Sequence, residues 1–459
     1  MTQSNQHDDQ PMFSVAGVRG IVGVSIRPDE YLRYVMAFGT MMGGGKIVVG
    51  CDSRISRHML KHLAFSGLMA VGCDVLDIGL APTPTVGINI VKRGSAGGIA
   101  ITASHNPANW NAYKFFDEKG SFLSTAQVEE LKRIAESSEF ALKDYRELGV
   151  VSEAIDAAEI HLKAILPVVD IEAIRSRKFH VVVDCVNGVG GVVAEPLLEA
   201  LGCRATFIYN DPTKEFPREP EPLPENLVEL GEKVQEMKAD VGFAIDPDAD
   251  RLALVDELGN PMGEERTLIL ASASVLETGV QKNAVIVVNL STSRGLEDVA
   301  AAYGATLLRT PIGEAHVVGA IRENDAIIGG EGNGGVIYPK AHCGRDAATG
   351  MALILAGLAR RPGLKLSDWN KDFPDYVMRK AKFDISDGAR DQLETVIRAT
   401  FSDAENFDTK DGVKVNYKDR WVHVRPSGTE PVMRVFAEAR DSNSAKSLIE
   451  KAQAAFSVS

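Results

Sequence analysis

The clearest chemical feature of this chain is a short polar turn, ITASHNP, at residues 101–107. It places the hydroxyl of Ser104 beside the imidazole of His105, directly after an apolar run that predicts a strand. Lys114 follows a short way along the chain. A hydroxyl with basic neighbours can act as a nucleophile whose proton those neighbours move. The alternative is a Ser/Asn/Pro turn without a catalytic role, since such turns are common.

A second polar segment, DPDADR at residues 246–251, places three carboxylates at alternating positions and a cation after them. Its charged residues are Asp246, Asp248, Asp250 and Arg251. The carboxylates can converge on one ion if the backbone curls after the preceding strand, and ligand sets made only of oxygen favour Mg²⁺ over Zn²⁺. A solvated acidic turn is the alternative, but the apolar runs on both sides predict two buried strands here. A hydroxyl and a magnesium site together are what phosphoryl transfer requires.

Two further loops carry groups suited to a phosphorylated sugar. GGEGNGG at residues 329–335 lacks the Lys-Ser/Thr ending of a nucleotide-binding P-loop, whereas Glu331 and Asn333 suit adjacent sugar hydroxyls. RPSGTEP at residues 425–431, followed by Arg434, offers guanidinium groups, hydroxyls and backbone amides that can surround a phosphate dianion. For both loops the alternative is an ordinary glycine-containing turn.

The overall charge limits the partners. The 459 residues carry a formal net charge of −13, which argues against nucleic acid and against an anionic membrane surface as partners. A phosphorylated ligand therefore needs a local basic patch. Arg19 and Arg54 are further candidates for that patch, and structural ion pairs are the alternative for both.

Composition indicates a globular protein, and the length of 459 residues predicts several cores, because single cores stop growing at about 250–300 residues. No apolar run is long enough to span a bilayer, and the N-terminal residues resemble no secretory signal. The five cysteines are scattered without a CxxC pair, which predicts reduced thiols and a cytoplasmic location. We expect a monomer or a homodimer.

Three β-branched runs, each followed by a polar turn and a helical stretch, predict three similar α/β domains. They lie at residues 46–54, 180–188 and 284–294, with helices expected at 57–71, 192–201 and 296–303. The last part of the chain predicts an α+β module in the order β-α-β-β-β-α, with strands at 377–383, 413–417, 421–425 and 432–439 and helices at 388–400 and 442–456. The expected domain limits are 1–155, 156–257, 258–370 and 371–459.

These four loops, in this order, resemble the α-D-phosphohexomutase superfamily, and the resemblance covers essentially the whole chain. It implies three related α/β domains with mixed sheets and a C-terminal phosphate-binding α+β domain around a central cleft. It also implies conversion of hexose 6-phosphate to hexose 1-phosphate through a phosphoserine enzyme and a hexose 1,6-bisphosphate intermediate. The expected partners are then small sugar phosphates.

The resemblance assigns roles to individual residues. The implied catalytic residues are Ser104, His105, Lys114 and Arg251, with Ser104 carried as phosphoserine and Lys114 as general acid and base. The implied Mg²⁺ ligands are Asp246, Asp248, Asp250 and a phosphoserine oxygen of Ser104. The implied substrate-binding residues are Arg19, Glu331, Asn333, Arg425, Ser427, Gly428, Thr429 and Arg434.

The sequence departs from the family pattern in two places. Residues 13–20 (FSVAGVRG) follow the usual FGTxGIRG loosely but keep Arg19. The sugar loop often reads GExSGH, and here Asn333 replaces its Ser and Gly335 its His. This variant resembles the phosphoglucosamine mutase branch, so we expect glucosamine 6-phosphate as substrate, with mannose and glucose phosphates as alternatives. A sugar-phosphate phosphatase and a non-catalytic sugar-phosphate-binding regulator are the other candidate functions.

Overall fold

The computed structural model of the protein contains four β-sheets, one after another along the chain. It describes residues 12–14, 17–279, 283–385, 388–427 and 432–457. Gly428 and Thr429, two of the predicted phosphate-binding residues, lie outside the described residues. The prediction of three α/β domains with mixed sheets followed by an α+β domain is confirmed.

The first sheet has seven strands in the spatial order β1-β2-β6-β5-β3-β4-β7. In chain order these are β1 (Met12–Ser14), β2 (Gly17–Ile21), β3 (Ile47–Cys51), β4 (Val75–Leu80), β5 (Gly97–Ile101), β6 (Trp110–Phe116) and β7 (Val151–Glu153). The helices are α1 (Pro28–Met41), α2 (Arg57–Ala70), α3 (Thr83–Arg93) and α4 (Thr125–Ser137). Both β3 and β5 are buried along their whole length, as expected of continuous apolar strands covered on two faces.

The second sheet has four strands in the order β11-β10-β8-β9. They are β8 (His180–Asp184), β9 (Arg204–Ile208), β10 (Val241–Ile245) and β11 (Leu252–Val255). The helices are α5 (Ala157–Ile165), α6 (Ile171–Arg177), α7 (Gly191–Ala200) and α8 (Val228–Met237), with 3₁₀ turns at Leu166–Val168 and Pro224–Asn226. The connection from β9 to Pro224 contains neither helix nor strand, as its prolines predict.

The third sheet has the order β13-β12-β14-β15. Its strands are β12 (Val285–Asn289), β13 (Thr306–Thr310), β14 (Ile328–Glu331) and β15 (Gly335–Ile337). The helices are α9 (Glu264–Leu276), α10 (Gly295–Tyr303), α11 (Glu314–Glu323), α12 (Ala347–Arg360) and α13 (Leu366–Asn370). The second and third sheets share one hydrophobic core, in which Phe243 and Trp369 are members of the same buried cluster. The α/β domains are therefore not three independent cores.

The fourth sheet is antiparallel and has five strands in the order β16-β20-β19-β18-β17. They are β16 (Val377–Asp384), β17 (Asn406–Asp408), β18 (Val413–Asn416), β19 (Trp421–Pro426) and β20 (Val432–Ala439), and the helices are α14 (Ala389–Thr400) and α15 (Ser442–Ser457). The predicted order of this module was wrong in one element, because it omitted β17. That strand is short and has a single apolar residue between Asn406 and Asp408, so it carries no periodic signal.

None of the described helices is long and apolar enough to cross a bilayer. All five cysteines are free thiols, as predicted.

Candidate active site

The serine turn is held in place by a buried arginine. The Arg54 guanidinium donates to the carbonyl oxygens of Ser104 and Asn106, both at 2.6 Å, and to that of Pro107 at 2.5 Å. It also pairs with Asp52 at 3.0 Å, and neither of the two side chains is exposed to solvent. Arg54 is thus a structural ion pair, the alternative that the sequence left open, and it shapes the turn without facing a ligand.

We expect the Arg54→Ala variant to lose about 3–5 kcal/mol of unfolding free energy, because it leaves the Asp52 carboxylate buried without its partner. Urea denaturation followed by circular dichroism measures this loss. Arg27→Ala is the matched control, since Arg27 pairs with Asp29 at 3.1 Å on the surface and should lose no more than about 1 kcal/mol. Equal stability of the two variants would contradict the structural role of Arg54.

The structure brings Ser104 together with all three aspartates. Ser104 Oγ donates to Asp246 Oδ2 at 2.7 Å, although 142 residues separate them. Ser104 has a φ of 50° and Ala249, between the last two aspartates, has a φ of 58°. Both loops therefore hold a non-glycine residue in the left-handed region, which is frequent at functional sites.

The three aspartates form a buried group that fits a divalent cation. Asp246, Asp248 and Asp250 have no solvent exposure, and one oxygen of each lies within 4.8 Å of the others. Asp248 Oδ1 and Asp250 Oδ1 have no hydrogen-bond partner among the residues that the structure describes. Burial, together with the charges of the other two carboxylates, raises the pKa of Asp246 well above its ordinary value. Mg²⁺ prefers hard oxygen donors, and two of these oxygens make no hydrogen bond within the described part of the chain.

Lys114 lies on β6 and reaches the same group. Its Nζ is 2.6 Å from Asp248 Oδ2 and 3.4 Å from Asp250 Oδ2, and only 6% of the residue is exposed. Burial alone would lower the pKa of Lys114, but Asp248 and Asp250 outweigh it and raise the pKa above its ordinary value. Lys114 is therefore an ammonium group at neutral pH.

His105 and Arg251 lie at the edge of this group. His105 Nδ1 is 3.4 Å from Ser104 Oγ, and burial together with the charges of Arg251 and Arg19 lowers the pKa of His105 well below its ordinary value. The ring is therefore neutral. Arg251 pairs with Glu221 of the proline-rich connection at 3.3 Å, and Arg19 on β2 donates to Asn106 at 3.5 Å.

The sugar loop forms a hairpin, with a glycine-containing turn between two paired strands. Strands β14 and β15 pair antiparallel, and Glu331 lies opposite Gly335. Glu331 is 5% exposed, and its Oε1 accepts from Asn289 Nδ2 at 2.9 Å and from the Gly313 amide at 3.1 Å. Asn333 Oδ1 is buried and has no hydrogen-bond partner among the described residues.

Two residues of this site were missed from the sequence. Arg345 binds the carboxylates of Asp250, Glu314 and Glu331. Burial raises the pKa of Glu314 to about 7, with Arg345 opposing and the nearby acids adding to the rise. Neither residue lies in a recognisable motif. The only signal in the sequence was the glycine-rich segment GNGG at residues 332–335, whose small size leaves room for a large side chain from another segment.

Three predicted phosphate-binding residues lie within the described part of the fourth sheet: Arg425 on β19, Arg434 on β20 and Ser427 directly after β19. Arg425 and Arg434 are register partners on these strands, and Arg425 pairs with Asp411 at 3.0 Å. Ser427 is buried, and its backbone carbonyl accepts from Arg390 at 2.9 Å. Asp411 also accepts from the Ile312 amide at 3.0 Å, so the same carboxylate links the fourth domain to the third.

His423 forms a second link between these two domains. Its Nδ1 lies 2.8 Å from Ser291 Oγ, its Nε2 lies 2.5 Å from the Asp411 carbonyl, and burial lowers the pKa of the ring to about 4. Between pH 4 and about 6.5 the ring therefore binds more protons in the unfolded chain than in the folded protein. Its contribution to the unfolding free energy is complete above about pH 6.5 and is lost as the pH falls towards 4. The loss should be roughly 3 kcal/mol.

We therefore expect the unfolding free energy of the protein to fall less between pH 7 and pH 4.5 in His423→Gln than in the unchanged protein. Glutamine can hydrogen-bond but does not titrate. His58→Gln, at an exposed helix position, should keep the full pH response. Parallel pH profiles for His423→Gln and the unchanged protein would show that this ring does not couple the domain contact to pH.

Comparison with known families matches this arrangement along the whole chain. The three α/β/α domains described for phosphoglucomutase/phosphomannomutase match residues 10–142, 159–259 and 263–376, and the C-terminal domain matches 377–455. A phosphoglucomutase/phosphomannomutase of Thermococcus kodakarensis is 37% identical over 446 residues, which cover 96% of this chain and 97% of that protein. The chain belongs to the phosphoglucomutase/phosphomannomutase family. This phosphohexomutase is thus an isomerase that transfers a phosphoryl group within a hexose phosphate.

Other relatives of this phosphohexomutase carry more than one substrate name. A probable phosphoglucosamine mutase of Methanopyrus kandleri is 36% identical over 439 residues and covers 95% of each chain. The solved structure of a phosphoglucomutase/phosphomannomutase family protein from Burkholderia thailandensis has a TM-score of 0.83, with 28% identity and 97% of both chains covered. The family is therefore established by these matches, and the hexose is not.

Proposed function

We propose that this phosphohexomutase interconverts hexose 6-phosphate and hexose 1-phosphate through phosphoserine at Ser104, with glucosamine phosphate as the preferred substrate. The observation that supports the mechanism is the position of Ser104 Oγ, 2.7 Å from a buried carboxylate group that still has acceptor oxygens without partners. A phosphatase that uses an aspartate as nucleophile would not need a serine there.

Each phosphoryl transfer is accompanied by the transfer of one proton in the opposite direction. When phosphate moves from Ser104 to a sugar hydroxyl, the P–Oγ bond breaks and a P–O bond to the sugar forms. The hydroxyl loses its proton, and Ser104 Oγ takes one up. When the other phosphate of the bisphosphate returns to Ser104, both changes are reversed. Lys114 starts as an ammonium group, so it would give its proton to Ser104 Oγ as the P–Oγ bond breaks and then take up the proton of the sugar hydroxyl. The neutral His105 would hydrogen-bond to the Ser104 oxygen.

Asp246, Asp248 and Asp250 would hold Mg²⁺, together with an oxygen of phosphoserine. Bound there, the ion supplies positive charge to the phosphate oxygens. Lys114 adds a second positive charge, next to Asp248 Oδ2. Because the protein carries a net charge of −13, these local cations are required to hold a phosphorylated substrate.

The remaining predicted residues would hold the two ends of the sugar. Arg425, Ser427 and Arg434 would grip the phosphate that does not react, with Gly428 and Thr429 between them and Arg19 near the serine turn. Glu331 and Asn333 would contact hydroxyls. A bisphosphate that turns around needs such an arrangement, with one fixed phosphate site, one reactive site and few sugar contacts between them.

The preference for an amino sugar rests on an acidic wall beside the sugar loop. A cavity of about 650 Å³ is lined by five glutamates, Glu265 among them, and by three cationic side chains, Arg266, Arg379 and Lys380. Glu265 lies so close to the loop that a Cβ on Gly332 would stand 2.0 Å from its Oε1. Burial and the charge of Glu438 raise the pKa of Glu265 well above its ordinary value, which favours the neutral acid. A cation bound beside it would favour the carboxylate. The protonated amine of glucosamine 6-phosphate supplies one.

A phosphorus NMR time course tests the proposed function. The protein with Mg²⁺ and a trace of glucose 1,6-bisphosphate receives glucosamine, mannose and glucose 6-phosphate in separate samples. We expect the sugar 1-phosphate signal in each active sample and the fastest conversion with glucosamine 6-phosphate. Release of inorganic phosphate alone would establish a phosphatase instead, and no change with any sugar would favour the binding-protein alternative.

We expect the Glu265→Gln variant to lose about tenfold in kcat/KM for glucosamine 6-phosphate, the effect of one charge-assisted contact, and less than twofold for glucose 6-phosphate. Coupled assays of 1-phosphate formation measure both values. Glu257→Gln, a carboxylate that binds Ser367 away from the loop, should change neither. An equal loss of kcat/KM on both sugars would show that Glu265 does not recognise the amine.

We also propose that the four domains span residues 1–155, 156–257, 258–370 and 371–459. The first two limits fall in connections between strands and helices, and the third falls at the C-terminal end of α13. Five free thiols and a sugar phosphate substrate are consistent with a cytoplasmic location.

A further inference from the structure

Arg345 occupies a central position in the site without belonging to any of the four loops. Its Nη2 lies 2.6 Å from Asp250 Oδ2, its Nε 2.8 Å from Glu314 Oε2 and its Nη1 3.0 Å from Glu331 Oε2. Every nitrogen of the guanidinium thus has a carboxylate partner, and only 9% of the residue is exposed. These contacts use three of the five N–H groups of the guanidinium, and through them Arg345 holds its three partners.

The partners belong to three separate segments of two domains. Asp250 follows β10 of the second sheet, Glu314 begins α11, and Glu331 ends β14 of the third sheet. The planar, forked guanidinium fixes the mutual orientation of carboxylates better than an ammonium group can. Arg345 therefore ties the metal-binding loop to the sugar loop.

Gly335 provides the room for this side chain. A Cβ at Gly335 would stand 2.2 Å from Arg345 Cδ and 2.9 Å from its Cγ. Under 3 Å, one of the two groups has to move. Since Gly335 lies opposite Glu331 in the β14–β15 pair, a larger residue there would push the guanidinium away from the carboxylate that it holds. Gly335 and Arg345 are complementary in shape.

Arg345 leaves one oxygen of Asp250 without a hydrogen bond and holds the second oxygen of Glu331. It binds Asp250 through Oδ2, whereas Asp250 Oδ1 has no hydrogen-bond partner among the described residues. It binds Glu331 through Oε2, whereas Oε1 is held by Asn289 and by the Gly313 amide. Glu331 is thus fixed from both sides. Arg345 adds a side-chain link between the sugar loop and Asp250 to the backbone hydrogen bond that Leu252 N donates to Gly334 O at 3.0 Å.

We propose that Arg345, accommodated by Gly335, is a positioning residue that sets the sugar-binding carboxylate Glu331 at a fixed distance from the metal-binding carboxylate Asp250. This inference rests on the proposed function, in which Glu331 contacts the sugar and Asp250 the ion. Without the guanidinium, Glu331 loses a partner and shifts, so the sugar binds more weakly and its hydroxyl is misplaced. A displacement of about 1 Å at a reacting group can cost 10²-fold in rate.

The expected effects separate positioning from mere stability. In Arg345→Gln we expect KM to rise about tenfold and kcat to fall about tenfold, together about 10²-fold in kcat/KM. Mn²⁺, used as a probe for the divalent ion and measured by electron paramagnetic resonance without substrate, should bind at least as tightly as in the unchanged protein, because a cation has been removed from beside Asp250. A partly unfolded enzyme would instead lower kcat and leave KM unchanged.

The experiment compares Arg345→Gln, Gly335→Ala and the double variant, on the sugar phosphate that the unchanged protein converts fastest. Gly335→Ala should reproduce the Arg345→Gln losses, and the double variant should be no worse than either single variant. The matched controls lie on α11: Arg322→Gln removes a contact to Ser121 in the first domain, and Gly319→Ala adds a methyl group where nothing lies within 4 Å. Both controls should stay within twofold of the unchanged protein.

Three results would overturn the inference: an unaffected Gly335→Ala, multiplicative losses in the double variant, or an Mn²⁺ affinity that falls in parallel with kcat/KM. If Arg345→Gln does not fold, the kinetic result for Gly335→Ala alone supports or overturns the inference. If the unchanged protein binds but does not convert sugar phosphates, the proposed function fails, and calorimetric affinities take the place of KM. Equal affinity of the unchanged protein and both variants, or no sugar phosphate binding at all, would then overturn the inference as well.

Discussion

The Ser104→Ala variant should lose at least about 10⁴-fold in kcat, because the oxygen that carries the phosphoryl group in both half-reactions is absent. The substitution removes one hydroxyl at a position that is 8% exposed, so the fold should persist. Binding should persist too, since the proposed phosphate and sugar contacts lie elsewhere. The expected result is an intact protein that binds glucosamine 6-phosphate with nearly unchanged affinity in calorimetry and turns over at background rate.

Ser95→Ala is the control for this variant. Ser95 is buried in the same domain, and its hydroxyl has no hydrogen-bond partner among the described residues, so its removal should leave kcat unchanged. Turnover by Ser104→Ala within tenfold of the unchanged protein would mean that another group accepts the phosphate. An aspartate nucleophile would then be the first candidate.

The Lys114→Met variant should lose 10²–10⁴-fold in kcat, the usual range for removal of a proton-transferring group. Methionine keeps most of the volume of the buried stem but cannot move a proton, and it removes the positive charge next to Asp248. Rapid-quench measurements should show phosphorylated enzyme persisting when substrate is added, because the transfer step itself is slowed.

Lys61→Met is the matched control for Lys114. Lys61 pairs with Asp77 at 2.5 Å in the same domain, on α2, and should tolerate the change with less than twofold loss in kcat. If Lys114→Met and Lys61→Met were equally active, the proton relay would have to be assigned elsewhere. Glu314 and His105 would then be the next groups to replace.

The parts of the site that lie in continuous segments could be predicted from the sequence. Ser104 and the aspartates follow buried strands, and a strand that ends in a polar turn leaves a clear local pattern. Contacts between those segments, such as Ser104 with Asp246, required the resemblance to a family or the structure itself. No periodicity relates residues that are 142 positions apart.

Arg345 shows why the rest could not be predicted. Its carboxylate partners lie 95, 31 and 14 residues away, so no local spacing relates them. The sequence also does not show that the second and third sheets share one core. The pattern of apolar residues in a strand is the same whether its sheet has a core of its own or shares one. Strand β17 is too short to produce any pattern.

The measurement that tests the central claim most directly is a chase of labelled enzyme. Protein carrying radioactive phosphate on Ser104, verified in the isolated peptide, is mixed with unlabelled glucosamine 6-phosphate and Mg²⁺ and quenched over milliseconds to seconds. The account predicts that the label leaves Ser104 at least as fast as turnover and is recovered in sugar bisphosphate and sugar 1-phosphate. Label that stays on Ser104 while product accumulates, or that is released only as inorganic phosphate, would contradict it.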